Sequence, residues 1–179
     1  MTRLLSYISL LFVCVFISCS SLKHATNFTG KKDLSDTTLN RLTGKYKPYS
    51  IVPNTQNKAD LSWNIFDVGY NPKTEQDFVE IKMISKNELS ISYWDSTTLI
   101  KSKVFKGRIK DGYFVFKRKY LIIPALIVNL FRNRIFRIGV LSNGNLITDY
   151  NQISFGSFYF IIPDWKFTKQ FGVEFQRLN

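Results

Sequence analysis

Residues 79–93, VEIKMISKNELSISY, decide the fold. Val79, Ile81 and Met83 alternate with Glu80 and Lys82, and beyond Lys86-Asn87 the residues Leu89, Ile91 and Tyr93 alternate with Ser90 and Ser92. Strict period-two alternation puts every second side chain on one face, as in a half-buried strand. Two such runs around a short polar turn predict an antiparallel hairpin.

Outward from this hairpin the same signal repeats. Asp111-Gly112 joins Leu99–Ile109 to Tyr113–Tyr120, and Asn143-Gly144 joins Arg134–Leu141 to Leu146–Tyr150. Asp-Gly and Asn-Gly supply the positive φ that tight hairpin turns need. Upstream, Leu42–Tyr46 opens a first strand, and Leu61, Trp63 and Ile65 alternate with Ser62 and Asn64, which predicts another. Phe171–Leu178 is the last, with Phe171, Val173 and Phe175 sharing a face. A short helical turn is expected at Asp36–Leu42, capped by Ser35 or Asp36. The fold class is therefore all-β. Eight or nine antiparallel strands with short connections favour a single up-and-down barrel, which closes its edges, over a sandwich.

In a meander the connections alternate between the two ends. The tight turns fall at one end. Gly69–Gln76, Asp95–Thr97, Leu121–Phe131 and Asn151–Phe167 fall at the other. Two of these long connections are unusually apolar. Leu121–Phe131 (LIIPALIVNLF) has Asn129 as its only polar side chain, and Asn151–Phe167 holds Phe155, Phe158, Tyr159, Phe160, Trp165 and Phe167. Surface loops are ordinarily polar. Three readings are open: they extend the flanking strands as core, they line an apolar ligand cavity, or they dip into a bilayer. In the functional readings Leu121, Ile122, Ile123, Leu126, Phe131, Phe155, Phe158, Phe160 and Trp165 make the apolar contacts. Lys117, Lys119, Arg132 and Arg134 then hold an acidic headgroup. The tether enters at this same end if Leu61–Phe66 is a strand, and at the opposite end if it is helical.

Charge points the same way. The chain carries 25 Lys and Arg against 13 Asp and Glu, a net +12. Residues 96–148 hold eleven of the cations against Asp111 alone, so the excess is local. Such a field attracts anionic partners. Lys101 and Lys103 fall on the same strand face as Phe105 and Ile109, which would be reconciled by a bulge near Val104.

The first 18 residues read as a secretory signal: Arg3, then the nearly unbroken apolar run Leu4–Ile17, then small residues. The run is too short for a spanning helix, which needs about 20 apolar residues. Val15-Phe16-Ile17-Ser18-Cys19 resembles the lipobox of bacterial lipoproteins, with Phe16 where that family prefers Leu. The resemblance implies an acyl and diacylglycerol lipid on Cys19 and no other cofactor. It also implies an envelope location, in the outer membrane facing the periplasm. The domains expected are a signal peptide (1–18), a lipid-modified tether (19–40) and a barrel (41–179). The partners are then the membrane and an anionic lipid or other apolar ligand, with nucleic acid excluded by compartment.

Leu42-Thr43-Gly44-Lys45-Tyr46 looks like the first strand of lipocalin-like barrels, with Tyr46 in place of Trp. Arg177 in the last strand would be the cation packed on that ring. The whole chain also resembles small uncharacterised lipoproteins of Gram-negative bacteria, a resemblance that implies no activity.

Catalytic chemistry finds few residues. Cys14 and Cys19 are the only cysteines and His24 the only histidine, all before the domain. The domain thus lacks thiol nucleophiles, histidine bases and thiolate or imidazole metal ligands. Carboxylate groupings remain, Glu75 with Asp77 and Glu80, or Asp149 with Asp164, but their spacing is not diagnostic. A non-catalytic binding module is expected, or alternatively a structural docking protein with a filled barrel.

Overall fold

The computed structural model describes residues 30–51, 59–66, 75–122, 128–158 and 162–178, with backbone alone for 120–122, 128–130, 157–158 and 162–164. The strands are β1 (Lys31–Lys32), β2 (Gly44–Ser50), β3 (Phe78–Ser85), β4 (Glu88–Asp95), β5 (Thr98–Lys110), β6 (Tyr113–Ile122), β7 (Val128–Leu141), β8 (Leu146–Phe158) and β9 (Ile162–Leu178). Each of β2 to β9 pairs antiparallel with its chain neighbours, and β2 pairs with β9. The result is a closed eight-stranded barrel. The ninth strand, β1, adds to β7 through Lys31↔Leu141 and Lys32↔Val140. Among the described residues no helix is long and apolar enough to cross a membrane.

Turn chemistry explains the hairpins. Asp111 and Gly112 both take positive φ, 53° and 71°, as a two-residue primed turn requires. At Asn143-Gly144 only Gly144 does, at 88°. There Gly144 N donates to Leu141 O (3.0 Å) and Asn145 N to the Asn143 side chain (2.9 Å). The Asn-Gly pair thus makes a longer loop than a primed two-residue turn, with glycine alone in the left-handed region.

The expected strand at Leu61–Phe66 is instead a short helix, α1. Asp60 Oδ1 accepts from Ser62 N (2.8 Å), Ser62 Oγ (2.6 Å) and Trp63 N (3.1 Å), which caps the helix. Leu61, Ile65 and Phe66 are buried while Trp63 is 49% exposed. That is helical spacing, which a six-residue window confuses with alternation. α1 packs into the long-connection end of the barrel. Arg118 Nη1 donates to Ile65 O (2.6 Å) at its last turn, where a cation complements the helix dipole. The chain therefore enters the barrel at the tight-turn end, opposite the apolar connections.

Burial raises the Asp60 carboxyl, with its three hydrogen bonds pulling it back. The folded chain then holds this proton more tightly than the unfolded chain. Stability from this group falls as pH rises from the ordinary carboxylate value to the raised one. Asp60→Asn keeps an acceptor for the helix and removes the charge. Its urea midpoint, relative to wild type, should be more favourable at pH 7 than at pH 4.

The opposite end is closed by a 3-10 helix at Leu39–Leu42, within the expected turn at Asp36–Leu42. Thr38, not Ser35 or Asp36, stands at its N-cap and makes no side-chain cap bond. The expected tether and the barrel overlap here, since Leu34, Leu39 and Leu42 all join the core. The cation on the first-strand ring is present: Arg177 lies 5.9 Å from the Tyr46 ring centroid. It also donates to Thr43 O (2.7 Å) and Arg41 O (3.2 Å). Burial pushes the Tyr46 phenol up, and Arg177 partly offsets it.

Between these ends the waist is filled by side chains. Phe105, Phe116, Phe136 and Tyr150 form a chain of rings with successive centroids 4.8, 4.9 and 5.0 Å apart. Phe66 of α1 joins at Phe105 (6.4 Å). Each pair adds about 0.5–1.5 kcal/mol beyond the area it buries. Gly107 gives this packing room, because a Cβ there would lie 2.5 Å from the Phe114 ring and 2.6 Å from Val115 O. Gly107→Ala should cost about 1–3 kcal/mol, read as a lower urea midpoint, since backbone oxygen cannot yield as a flexible tip would.

Candidate functional site

The described parts of the apolar connections are strands. β6 runs on to Ile122 and β7 begins at Val128, while β8 runs to Phe158 and β9 begins at Ile162. Pairing satisfies their backbone groups, which an apolar loop would leave unmet. The described parts of both stretches are therefore strand extensions, with successive positions alternating between the two faces of one sheet. Ile123, Leu126 and Phe160 lie outside the described residues, as does Cys19. Leu121, Ile122 and Phe158 are placed by backbone alone, paired with Phe131, Leu130 and Val128.

Register sorts the remaining candidates. Phe116, Phe136 and Tyr150 face the core, so their alternates face outward. On the outer face Phe131 pairs with Phe155 and Phe155 with Trp165. One row down, Lys119, Asn133, Ile153 and Phe167 stand side by side, and below them Lys117, Ile135, Asn151 and Lys169. Three rows on four strands span about 14 Å on each side, with Ile135 and Asn151 in the lowest row buried. Phe167 is 62% exposed, Trp165 50% and Phe131 37%. Trp165 tilts against Phe155 at 4.5 Å and stacks with Phe167 at 6.4 Å. Lys117, Lys119 and Lys169 are exposed beside them, and no carboxylate stands in these rows among the described side chains.

Arg132 and Arg134 do not belong to this group. They pair with Ser154 and Gln152 on the inner face, so the expected headgroup cluster of two lysines and two arginines is divided between the sides of the sheet. Arg134 is buried and its Nε donates to Gln152 Oε1 (2.6 Å), which also accepts from the Tyr150 hydroxyl. Gln152 Nε2 continues to Ser154 Oγ (3.2 Å). This inner network binds strand to strand.

Three of the candidate carboxylates have structural partners. Asp77 accepts from the Tyr93 hydroxyl (3.2 Å), Glu80 pairs with Lys82 (2.9 Å) and Asp149 with Arg137. The side chain of Asp164 lies outside the described residues. Phe167, the most exposed aromatic of the patch, was absent from the contacts expected from sequence. Its spacing two residues from Trp165 was the available signal, hidden by reading the stretch as a loop. No family model, curated protein or solved structure matches the chain, so the surface is interpreted on its own chemistry.

Proposed function

We propose that this protein is a non-catalytic envelope lipoprotein that docks on an anionic lipid surface through the outer face of β7 to β9. The observation that carries this reading is the joint exposure of Trp165 and Phe167 with Lys117, Lys119 and Lys169 beside them. Aromatic rings at this density favour an interface where one side is apolar and the other wet. Each lysine near an anionic bilayer is worth about 1 kcal/mol. The aromatic filling of the barrel waist favours docking over carriage of a ligand deep inside.

Lipidation at Cys19 fits the same geometry. Twelve residues separate Cys19 from Lys31 and reach at most about 40 Å. From Leu141, where β1 attaches, to Phe131 is about 33 Å along β7. A lipid on Cys19 and the aromatic patch can therefore meet one bilayer with the barrel lying along it.

The test is flotation of the mature chain from Ser20, which lacks the acyl anchor, with liposomes. Binding to vesicles containing anionic lipid at low salt, weakened by added salt and at least tenfold poorer on zwitterionic vesicles, is the expected result. Equal binding to both, or none, would remove the reading.

A further inference from the structure

Among the described residues β9 is paired along only part of its β2 side. The pairs there are at Phe175, Arg177 and Leu178, and Ile51 N donates to Glu174 O (2.9 Å). From Ile162 to Val173 no described strand pairs with that side, while β8 covers the other. Contact there comes from α1, whose Asn64 Nδ2 donates to Gln170 Oε1 on the inner face (3.0 Å).

Two features bound the usable part of this edge. Pro163 lacks an N–H to donate, and the bulge at Phe171 and Gly172 breaks the register. Between them Asp164–Gln170 is seven residues in unbroken register with β8. Its midpoint is Phe167, at 62% exposure the most exposed large hydrophobic among the described residues. Alternate residues of such an edge direct N–H and C=O groups away from the sheet, ready for a further strand. Proteins guard edges with lysine, proline, bulges or short strands. Here the proline and the bulge guard only the ends, and the span between them presents Trp165 and Phe167.

The edge matches itself. Turned about Phe167, two antiparallel copies place Phe167 opposite Phe167, Trp165 opposite Lys169 and Lys166 opposite Thr168. No like charges are opposed, and aromatic pairs and a lysine beside an indole are favourable cross-strand neighbours. β5 is the contrast, unpaired on its β6 side from Thr98 to Lys106 among the described residues. Its register against β4 runs unbroken from Lys106 to Lys101. The expected bulge near Val104 is therefore absent, and Lys101 and Lys103 share the inner face with Phe105; the irregularity sits at Tyr93/Trp94. Turned about its midpoint, Ser102, β5 would oppose Lys101 to Lys103. Its lysines protect that edge, whereas those of β9 do not meet.

We propose that β9 pairs with β9 of a second copy of this chain over Asp164–Gln170, joining two barrels edge to edge. The two-fold axis of such a pair is perpendicular to the sheet, so both outer faces lie on one side. The dimer sets two aromatic patches side by side, which multiplies the effect of a weak contact with one surface. The pairing itself rests on the edge and not on the docking reading.

The experiment is carried out without lipid, on the mature chain from Ser20, whose barrel and core lie within residues 31–178. Both cysteines precede Ser20, so an introduced thiol is the only one. The interface is small, and reversible dimerisation in the micromolar range is expected by sedimentation. Phe167→Cys should be captured as a covalent dimer by a short bis-maleimide, since directly opposed positions lie about 5 Å apart. Ile84→Cys, also exposed but at the tight-turn end, should not. Phe167→Lys should weaken dimerisation at least about tenfold with an unchanged melting temperature, because it removes an aromatic pair and opposes two like charges. A chain that stays monomeric throughout that range, or Phe167→Cys captured no better than Ile84→Cys, overturns the proposal. So does a dimer that Phe167→Lys leaves intact. Vesicle binding by a chain shown to be monomeric would leave the docking surface standing without the dimer.

Discussion

Trp165→Glu/Phe167→Glu should lose at least about a hundredfold in affinity for anionic vesicles and melt at an unchanged temperature. Burying one large aromatic side chain is worth about 1.5–3 kcal/mol, so two rings withdrawn from an interface remove about 3 kcal/mol or more. The two glutamates add repulsion from the anionic surface. Neither ring supports the fold, since half or more of each is exposed and their mutual stacking is outside the barrel. Lys117→Glu, on the same face but lower, should cost less and mostly at low salt. Retained binding by the double variant would place the docking surface elsewhere, and loss of both binding and melting cooperativity would make the rings structural.

The second large effect concerns Asp149. It is fully buried on the outer side of the wall, where Oδ2 accepts from Arg137 Nε (2.9 Å) and Nη2, and Oδ1 from Gly172 N (2.9 Å). Phe171 and Gly172 together oppose Asp149, one residue too many, and Gly172 takes φ of 65°. The carboxylate thus holds a bulge as well as a cation, whose guanidinium lies 4.5 Å from the Tyr113 ring centroid. Burial and Asp149 push the Tyr113 phenol up, and Arg137 partly offsets them. Asp149→Ala leaves the buried guanidinium and the Gly172 N–H without this acceptor. The expected cost is about 3–5 kcal/mol, read as a melting temperature lower by roughly 10 °C. Arg137→Met/Asp149→Leu should recover much of it, because a buried pair is far cheaper to replace than to break. A double variant as unstable as Asp149→Ala would make the Gly172 hydrogen bond, rather than the ion pair, the dominant contribution.

The same bulge shows why part of the fold was hidden in the sequence. Phe171, Val173 and Phe175 read as one face, but the extra residue displaces Phe171, which is 38% exposed while Phe175 is buried. Asp111-Gly112 was legible because few residues adopt successive positive φ angles. The paired runs at Val79–Met83 and Leu89–Tyr93 were legible because their alternation is complete. Leu61–Phe66 failed for want of length, although Asp60 two residues before Ser62 carried the capping signal. Leu121–Phe131 and Asn151–Phe167 stayed open between strand extension and two functional readings because a continuous apolar run has no period to read. Their aromatics were visible as a group, but which of them face water depends on register, and so did the separation of Lys117 and Lys119 from Arg132 and Arg134.

Contact of Trp165 with the acyl region is the most direct measure of docking. Trp63→Phe/Trp94→Phe leaves it the only tryptophan, and anionic vesicles with brominated acyl chains report its depth. The expected result is a blue-shifted emission quenched most by bromines nearest the headgroups. Vesicle-bound protein whose Trp165 emission stays red and unquenched would contradict docking through this face.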